Sequence, residues 1–562
     1  METLEKIWKY PEPVPDGFLA DMSDFREIER QVLFLRGIKT RDQAQKFLQG
    51  VYTENVDPYN LLDMDRAVNR ISQAIDRDEA IVLYADYDAD GVSSAALMYL
   101  GLKSLGGKVS VYFPDRFKEG YGLNLGAIDF IAREGCGLLI TVDCGIRAYR
   151  EALRTEEHGI DMIITDHHIP GESLPEAYAV INPRLPGDDY PFKSLAGVGV
   201  AYKLMQALRS ARGITTDDRD IDLVAIGTVA DIVPLVGENR SLVRQGLEVL
   251  NRTDRLGLQR LIEVSGHQLG SINAATIGFG LGPRINAAGR LRSARLAFDL
   301  LVSEDQVSAH ALAEQLDQIN RDRQELMNNV VERAFEAYEQ RRDRRNVIIE
   351  FDESYHEGVI GLAASKVTEA FYRPTIIGNI KDGWVTASAR SIPGFHITNA
   401  LERASSVLDR FGGHSAAAGL RVRQDRVGEL QSMLEQVFDE QMEEDLLRPV
   451  LAIDGVTTFQ ELDDRMLRFH DKLAPFGAHN QRPILVSKNV RVLKKRTVGS
   501  DSRHLKLTLE QGGRPFDAIA FRMGERINAL TPEIDLAYRL ERNHYLGYVT
   551  LQLNVADFKS ID

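Results

Sequence analysis

Six aspartates and two histidines stand where they could share one charged centre. Asp86, Asp88 and Asp90 fall in the run Ala85-Asp86-Tyr87-Asp88-Ala89-Asp90-Gly91-Val92-Ser93-Ser94. Asp143 lies in Thr141-Val142-Asp143-Cys144-Gly145, Asp166, His167 and His168 are consecutive, and Asp231 closes Gly227-Thr228-Val229-Ala230-Asp231. Carboxylates brought together repel one another and resist burial unless a cation compensates them. Oxygen ligands with one or two imidazoles suit Mn2+ or Mg2+, whereas zinc favours Cys and His. Two such ions about 3.5–4 Å apart would activate a water and clamp the phosphoryl oxygens of an in-line displacement, with one carboxylate bridging them. An EF-hand reading fails: the twelfth position from Asp86 is Leu97 rather than Glu, and a strand-like run precedes it instead of a helix.

These residues need a scaffold that gathers them. Short apolar runs at Ile81–Ala85, Lys108–Phe113, Gly137–Val142 and Met162–Thr165 alternate with polar turns and stretches that can be helical. That alternation predicts a parallel sheet flanked by helices, whose ligands gather beyond the C-terminal strand ends. Leu223–Ala230 is read as a further strand-like run, so that four strand ends in series place acids or histidines on one rim. Solvated turns would account for one such end better than for four.

Ser303 to Asn346 contains neither Gly nor Pro and carries Val307, Leu312, Leu316, Ile319, Leu326, Val330 and Phe335 at roughly helical spacing. A helix of about 40 residues, capped by Ser303 and Gln306, would span roughly 60 Å and bridge two domains. Residues 347–440 read as a second strand-and-helix unit. After Arg448, runs at Ile484–Leu493, His504–Glu510, Phe516–Phe521, Asp535–Glu541 and Tyr545–Asn554 predict the five strands of an OB-like barrel. The expected class is therefore α/β: a parallel-sheet catalytic domain, a long connecting helix, a second α/β domain and a C-terminal OB-like β-barrel. The expected boundaries are 1–48 for an N-terminal segment packing on the catalytic domain, 49–302 for that domain, 303–346 for the helix, 347–445 for the second domain and 450–562 for the barrel.

A chain of 562 residues, 44% hydrophobic and 27% charged, is an ordinary soluble composition spread over several cores. No apolar run reaches the roughly 20 residues of a membrane helix, and the N-terminus has no signal-peptide stretch. Cys136 and Cys144 form no CxxC pair, so the protein is expected to be cytoplasmic. The net charge of −15 hides a segregation, because residues 481–562 carry 14 Lys and Arg against 9 Asp and Glu. Such a block fits either phosphate binding or a solvated face.

The motifs around Asp86–Gly91, Val142-Asp143, Asp166–His168 and Gly227–Asp231 resemble the four signatures of DHH phosphoesterases. The likeness continues through Gly282-Pro283-Arg284-Ile285-Asn286-Ala287-Ala288-Gly289-Arg290-Leu291 into Gly412-Gly413-His414-Ser415-Ala416-Ala417-Ala418-Gly419, the mark of the DHH-associated domain, and Pro475-Phe476-Gly477. It covers about residues 50 to 562 and is strongest to the bacterial branch that degrades single-stranded DNA from the 5′ end to mononucleotides, in repair and recombination. It implies that Asp88 and Asp143 hold one divalent cation and that Asp90, Asp143, His167 and Asp231 hold the other. Asp86, Asp143 and His168 take catalytic roles, with His168 beside the scissile phosphate. Many members have a histidine four residues before the Asp88 position; Tyr84 stands here, leaving Asp86 or water to complete the first cation. DNA contacts fall to Arg116, Tyr121, Arg284, Arg290 and His414. Ser388 and Arg390, after an expected strand Trp384–Ala387, would form a 5′-phosphate pocket. The resemblance implies a monomer acting on single-stranded DNA beside a helicase and a single-strand-binding protein. A phosphodiesterase of short oligonucleotides or cyclic dinucleotides is the alternative, disfavoured by the C-terminal segment. A catalytically silent DNA-binding scaffold is disfavoured by the intact acids and histidines.

Overall fold

The computed structural model describes residues 5–561 apart from 53–55, 215–217, 341–344, 500 and 546–547. Ala80–Ala85, Lys108–Tyr112, Leu138–Val142, Asp161–Thr165 and Ala179–Ile181 form a parallel sheet. The spatial order runs from Lys108–Tyr112 through Ala80–Ala85, Leu138–Val142 and Asp161–Thr165 to Ala179–Ile181. Apolar residues on both strand faces meet helices on both sides. Ile81, Leu83, Leu138 and Ile140 enter one core, and Val82, Tyr84, Leu139 and Ile164 enter the other. The strand-like reading of Leu223–Ala230 is corrected: Ile221–Ala230 is an α-helix. It packs between helices Ala89–Ser104 and Gly237–Leu250 and is buried from Ile221 to Thr228. A helix apolar all round has no amphipathic period to distinguish it from a buried strand.

Gln306–Gln340 forms one 35-residue helix; residues 341–344 of the expected span lie outside the described residues. Its cap also differs from expectation, since Asp305 Oδ2 accepts from the Ser308 amide at 2.7 Å while the Ser303 hydroxyl donates to the Asp305 carbonyl. Ala309, Ala313 and Leu316 belong to the catalytic core, and Met327, Val330 and Ala334 to a cluster with Val359 and Ala363 of helix Glu357–Phe371. One rod is thus built into both domains. The second domain's sheet runs Leu408–His414, Ala417–Arg423, Trp384–Arg390, Thr375–Lys381, Ile348–Asp352. Strand Trp384–Arg390 is longer than expected, so Ser388 and Arg390 lie within it. Its alternation sends Val385, Ala387 and Ala389 into the core and leaves Ser388 and Arg390 on the other face.

Leu485–Val498, His504–Gln511, Arg514–Ala520, Glu533–Tyr545 and Tyr548–Ser560 close into a barrel, because the first pairs with both His504–Gln511 and Glu533–Tyr545. The N-terminal segment is corrected here. Phe18, Met22, Ile28, Val32 and Leu33 share a core with Phe459, Met466, Phe469 and the barrel interior, and Ile7–Lys9 pairs with Val450–Ala452. Its contact with the catalytic domain is narrower. The buried Arg240 guanidinium, from helix Gly237–Leu250, donates to the carbonyls of Phe47, Lys472 and Ala474 at 2.8–2.9 Å. The apolar stripes of the N-terminal helices cover whichever apolar surface complements them, and a stripe does not name its partner.

Candidate metal centre and nucleic-acid interface

Parallel pairing carries the acids to one level. Asp86, Asp143 and Asp166 each follow a strand, and their amides donate to the carbonyls of Val142, Thr165 and Ile181 on the next strand. Asp88 caps helix Ala89–Ser104, its Oδ1 accepting from the Asp90 and Gly91 amides at 2.9 and 3.1 Å. Asp90, fully buried, accepts from the Gly197 and Val198 amides at 2.7 and 2.9 Å at the start of helix Gly197–Ala211. That positive helix end favours a carboxylate. Glycine at 197 permits the approach, since a Cβ there would stand 2.4 Å from Asp143 Oδ1. Asp231 arrives from the C-terminus of helix Ile221–Ala230 rather than from a strand.

The ligand atoms converge. His167 Nε2 lies 3.1 Å from Asp143 Oδ1, 3.6 Å from Asp231 Oδ2 and 3.9 Å from Asp90 Oδ2. Asp90, His167 and Asp231 offer ligand atoms within 4.8 Å of one another, and so do Asp86, Asp88 and Asp143. Asp143 stands between the two groups, with a backbone φ of 61° that Asp tolerates better than most side chains.

Burial, reinforced by mutual repulsion, holds Asp86 and Asp143 well above the usual carboxylate range. The same causes push Asp90 up to about 7 and Asp231 up to about 8. Burial also lowers His167 to about 4, keeping a neutral imidazole suited to ligation. His167 Nε2 and Asp143 Oδ1 are buried without a hydrogen bond, and a cation would satisfy both. The hard-oxygen and imidazole set fits Mn2+ or Mg2+.

Asp166 is occupied differently. It accepts from the amides of Ile146, His167 and His168 and from His168 Nδ1 at 2.7 Å. Burial opposes charge on His168, but the hydrogen bond and charge of Asp166 outweigh it and raise the imidazole to about 9. Its Nε2 stands 3.5 Å from the Tyr121 hydroxyl. Tyr84 supplies no ligand, because its ring lies in the core beside Tyr112 and its hydroxyl donates to the Gly122 carbonyl at 3.0 Å.

Around the cluster, the Arg116 guanidinium lies over the Tyr87 ring, which meets Tyr121 edge-on. Arg290 is lowered to about 10 by burial and then by Arg116 and Arg323. Arg284 stands apart from this group: its guanidinium binds Asp317 at 2.7 Å and the Gly280 carbonyl, tying helix Gly282–Leu291 to the bridging helix.

Arg390 donates to Ser388 Oγ at 2.9 Å and to Ser365 Oγ at 3.1 Å. This trio lies near the catalytic domain along helix Glu357–Phe371. A Cβ at Gly358 would meet the Arg290 carbonyl at 2.3 Å, and one at Gly361 would meet Arg390 Nη2 at 3.0 Å and Ser388 Oγ at 3.1 Å. Exposed His414 shares a row of the sheet with Ala417 and Arg390, two strands away.

Residues to which the sequence assigned no role complete the surroundings. The Asn286 side-chain Oδ1 accepts from the Ala89 amide at 2.8 Å, fixing the start of the Asp88-capped helix. His356 caps helix Glu357–Phe371 and meets the Phe117 ring across the two domains. Histidine is not among the usual N-cap residues, so the cap carried no sequence signal, and nothing local marks Ser365 or Arg323.

Family models match in the same order: "DHH family, N-terminal domain" at residues 80–228, "DHHA1 domain" at 344–440 and "RecJ OB domain" at 453–557. The single-stranded-DNA-specific exonuclease RecJ of Bacillus subtilis (strain 168) is 38% identical over 556 residues, covering 98% of this chain and 70% of that protein. The protein of the same name from Dickeya dadantii (strain 3937) is 36% identical over 551 residues, covering 93% of this chain and 94% of the relative. The crystal structure of RecJ in complex with Mn2+ from Thermus thermophilus superposes with a TM-score of 0.85 at 27% identity, over 99% of this chain and 80% of that one. With three ordered domain matches and near full-length identity, this chain belongs to the RecJ family of DHH phosphoesterases.

Proposed function

We propose that the protein is a single-stranded-DNA-specific 5′→3′ exonuclease that releases mononucleotides in DNA repair and recombination, using two divalent cations, Mn2+ or Mg2+. The observation that carries the chemistry is the set of converging Asp and His ligand atoms with buried, unpaired acceptors at its centre. Asp86, Asp88 and Asp143 would hold one cation, and Asp90, Asp143, His167 and Asp231 the other. Bound there, the cations supply the Lewis acidity that polarises a phosphodiester and acidifies a water. Asp166 holds His168 protonated, so that Nε2 donates to the scissile phosphate as it cleaves. Arg116 and Arg290 neutralise the phosphates beside it, and Tyr121 stacks on a base. Ser388, Arg390 and Ser365 receive the terminal 5′ phosphate across the cleft, which gives the direction of travel. Their support is the single helix Glu357–Phe371 that touches both Arg290 and this trio. Arg284 is retained as a positioning residue rather than a DNA contact, because Asp317 already engages it.

Digestion of 5′- and 3′-labelled single strands with Mn2+, beside a blunt duplex, tests the reading. Label is expected to leave the 5′ end first, as mononucleotides, with the duplex resistant. Early loss of the 3′ label, or internal fragments, would overturn it. The protein works in this reading as a cytoplasmic monomer beside a helicase and a single-strand-binding protein, a set supported by family resemblance and open to co-sedimentation. Among the described residues no helix is long and apolar enough to cross a membrane.

A further inference from the structure

A cavity of about 1490 Å3 lies beside the metal centre, between the catalytic domain and the C-terminal barrel unit. Its catalytic wall includes Ala230 and Ile232, the chain neighbours of Asp231, and Phe279. Two large apolar side chains stand open to solvent there: Ile232 is 74% exposed and Phe279 is 87% exposed. Ile232 also has a backbone φ of 59°, a conformation that a β-branched residue avoids unless its surroundings impose it. Phe279 sits in the π-helical turn Ile277–Leu281, a geometry concentrated at functional sites. Ile277 and Leu281 of the same turn are fully buried. Gly278 and Gly280 flank Phe279, so neither neighbour has a side chain to cover the ring. The turn is anchored on one face and presents a bare aromatic on the other.

Across the cavity the barrel side supplies charge. The Arg482 guanidinium lies over the Phe476 ring at 4.9 Å, and Arg539 lines the same wall. Neither forms an ion pair among the described residues. An exposed aromatic and guanidinium groups lining one cavity suit a single-stranded nucleic acid, with bases on the ring and phosphates on the arginines.

We infer that Phe279 is a base-stacking post and that Arg482 and Arg539 hold the backbone of the single strand as it leaves the metal centre on the Asp231 side. This rests on the proposed nuclease reading and adds a contact distinct from its metal, phosphate and 5′-end residues. The post acts only on strands long enough to reach it and only through a base.

The test uses the full chain in EDTA, where binding is measured without cleavage. The probes are short and long single strands, and long strands carrying 2-aminopurine or an abasic stretch at successive positions. Phe279→Ala is expected to weaken long-strand binding about tenfold, the scale of one lost base–aromatic stack. Phe279→Trp should restore it, while short strands bind as to wild type. Quenching of 2-aminopurine at one position should disappear in Phe279→Ala, and the abasic strand should not distinguish the proteins. The exposed ring leaves no void when removed, so the unfolding midpoint should not move. Unchanged long-strand affinity, failure of Phe279→Trp to restore it, or equal losses on intact and abasic strands would overturn the inference. Its failure is distinguishable from failure of the nuclease reading, because hydrolysis of labelled single strands by wild type would persist in the first case and be absent in the second.

Discussion

At the scale of single residues, Asp143 has a double position. It lies with Asp86 and Asp88 in one ligand group and 3.1 Å from His167 of the other. Its left-handed backbone makes Asn a gentler probe than Ala. Asp143→Asn is expected to reduce hydrolysis to below about 1%, since losing even a supporting group around a metal costs up to about a hundredfold. The unfolding midpoint without metal should stay or rise, because one buried, mutually repelled carboxylate is gone. Activity near wild type, read beside calorimetric metal titration, would remove it from the bridging role. Arg390 acts on a different quantity. Arg390→Ala is expected to slow cleavage of 5′-phosphorylated strands by roughly ten- to a hundredfold, the value of a charge-assisted hydrogen bond, and to spare 5′-hydroxyl strands. Equal losses on both would make it a general backbone contact. The acids were legible because four apolar runs in series each end in one, which solvated turns do not explain; Ser365 was not, because a serine within a helix carries no such mark.

At the scale of elements, helix Asp464–Leu473 places His470 against Phe476, buried between the barrel unit and the cavity. Burial, and then Arg482, push the imidazole down to about 4. Between the unfolded value of about 6.5 and that figure, the unfolded chain binds a proton that the folded chain refuses. This contribution to stability is therefore complete above about pH 6.5 and is lost as pH falls toward 4, by at most about 3 kcal/mol. His470→Phe should flatten that part of the pH–stability curve in denaturant titrations. A slope identical to wild type between pH 6.5 and 4 would show that His470 does not sense it. Four strands of the parallel sheet were legible from short, partly β-branched runs between turns, whereas the three-residue edge strand Ala179–Ile181 was too short to stand out. Helix Ile221–Ala230 was not legible as a helix, because burial on every side erases the pattern that separates helix from strand.

At the scale of the whole molecule, the barrel and the N-terminal helices are one folding unit. Phe18, Met22, Ile28, Val32 and Leu33 bury their side chains against residues more than 400 positions away. Each such side chain stabilises by about 1.5–3 kcal/mol when buried. Truncation after Arg448 is therefore expected to expose that apolar face and to give aggregated protein, whereas a fragment also lacking residues 1–50 should be monodisperse. The second fragment should bind long single strands more weakly and with a flatter salt dependence, because the basic barrel is gone. Size-exclusion chromatography and salt titration would check both. A soluble, cooperatively folded chain truncated at Arg448 alone would contradict the shared core.

The sequence by itself determined the class of fold, the order of its parts and the type of chemistry. Strand ends in a parallel sheet share a level, so Asp86, Asp143 and Asp166 could be placed on one rim from spacing alone. Tertiary structure decided how each group is used. Asp166 became the holder of His168 because three amides and an imidazole converge on it. Arg290 faced the centre while Arg284, six residues away on the same helix, turned to Asp317. Phe279 stood bare because its turn anchors the opposite face. Periodicity records which residues share a face, but not which distant acid, ring or helix lies opposite, and it is that proximity which settles the role of a charged or aromatic side chain.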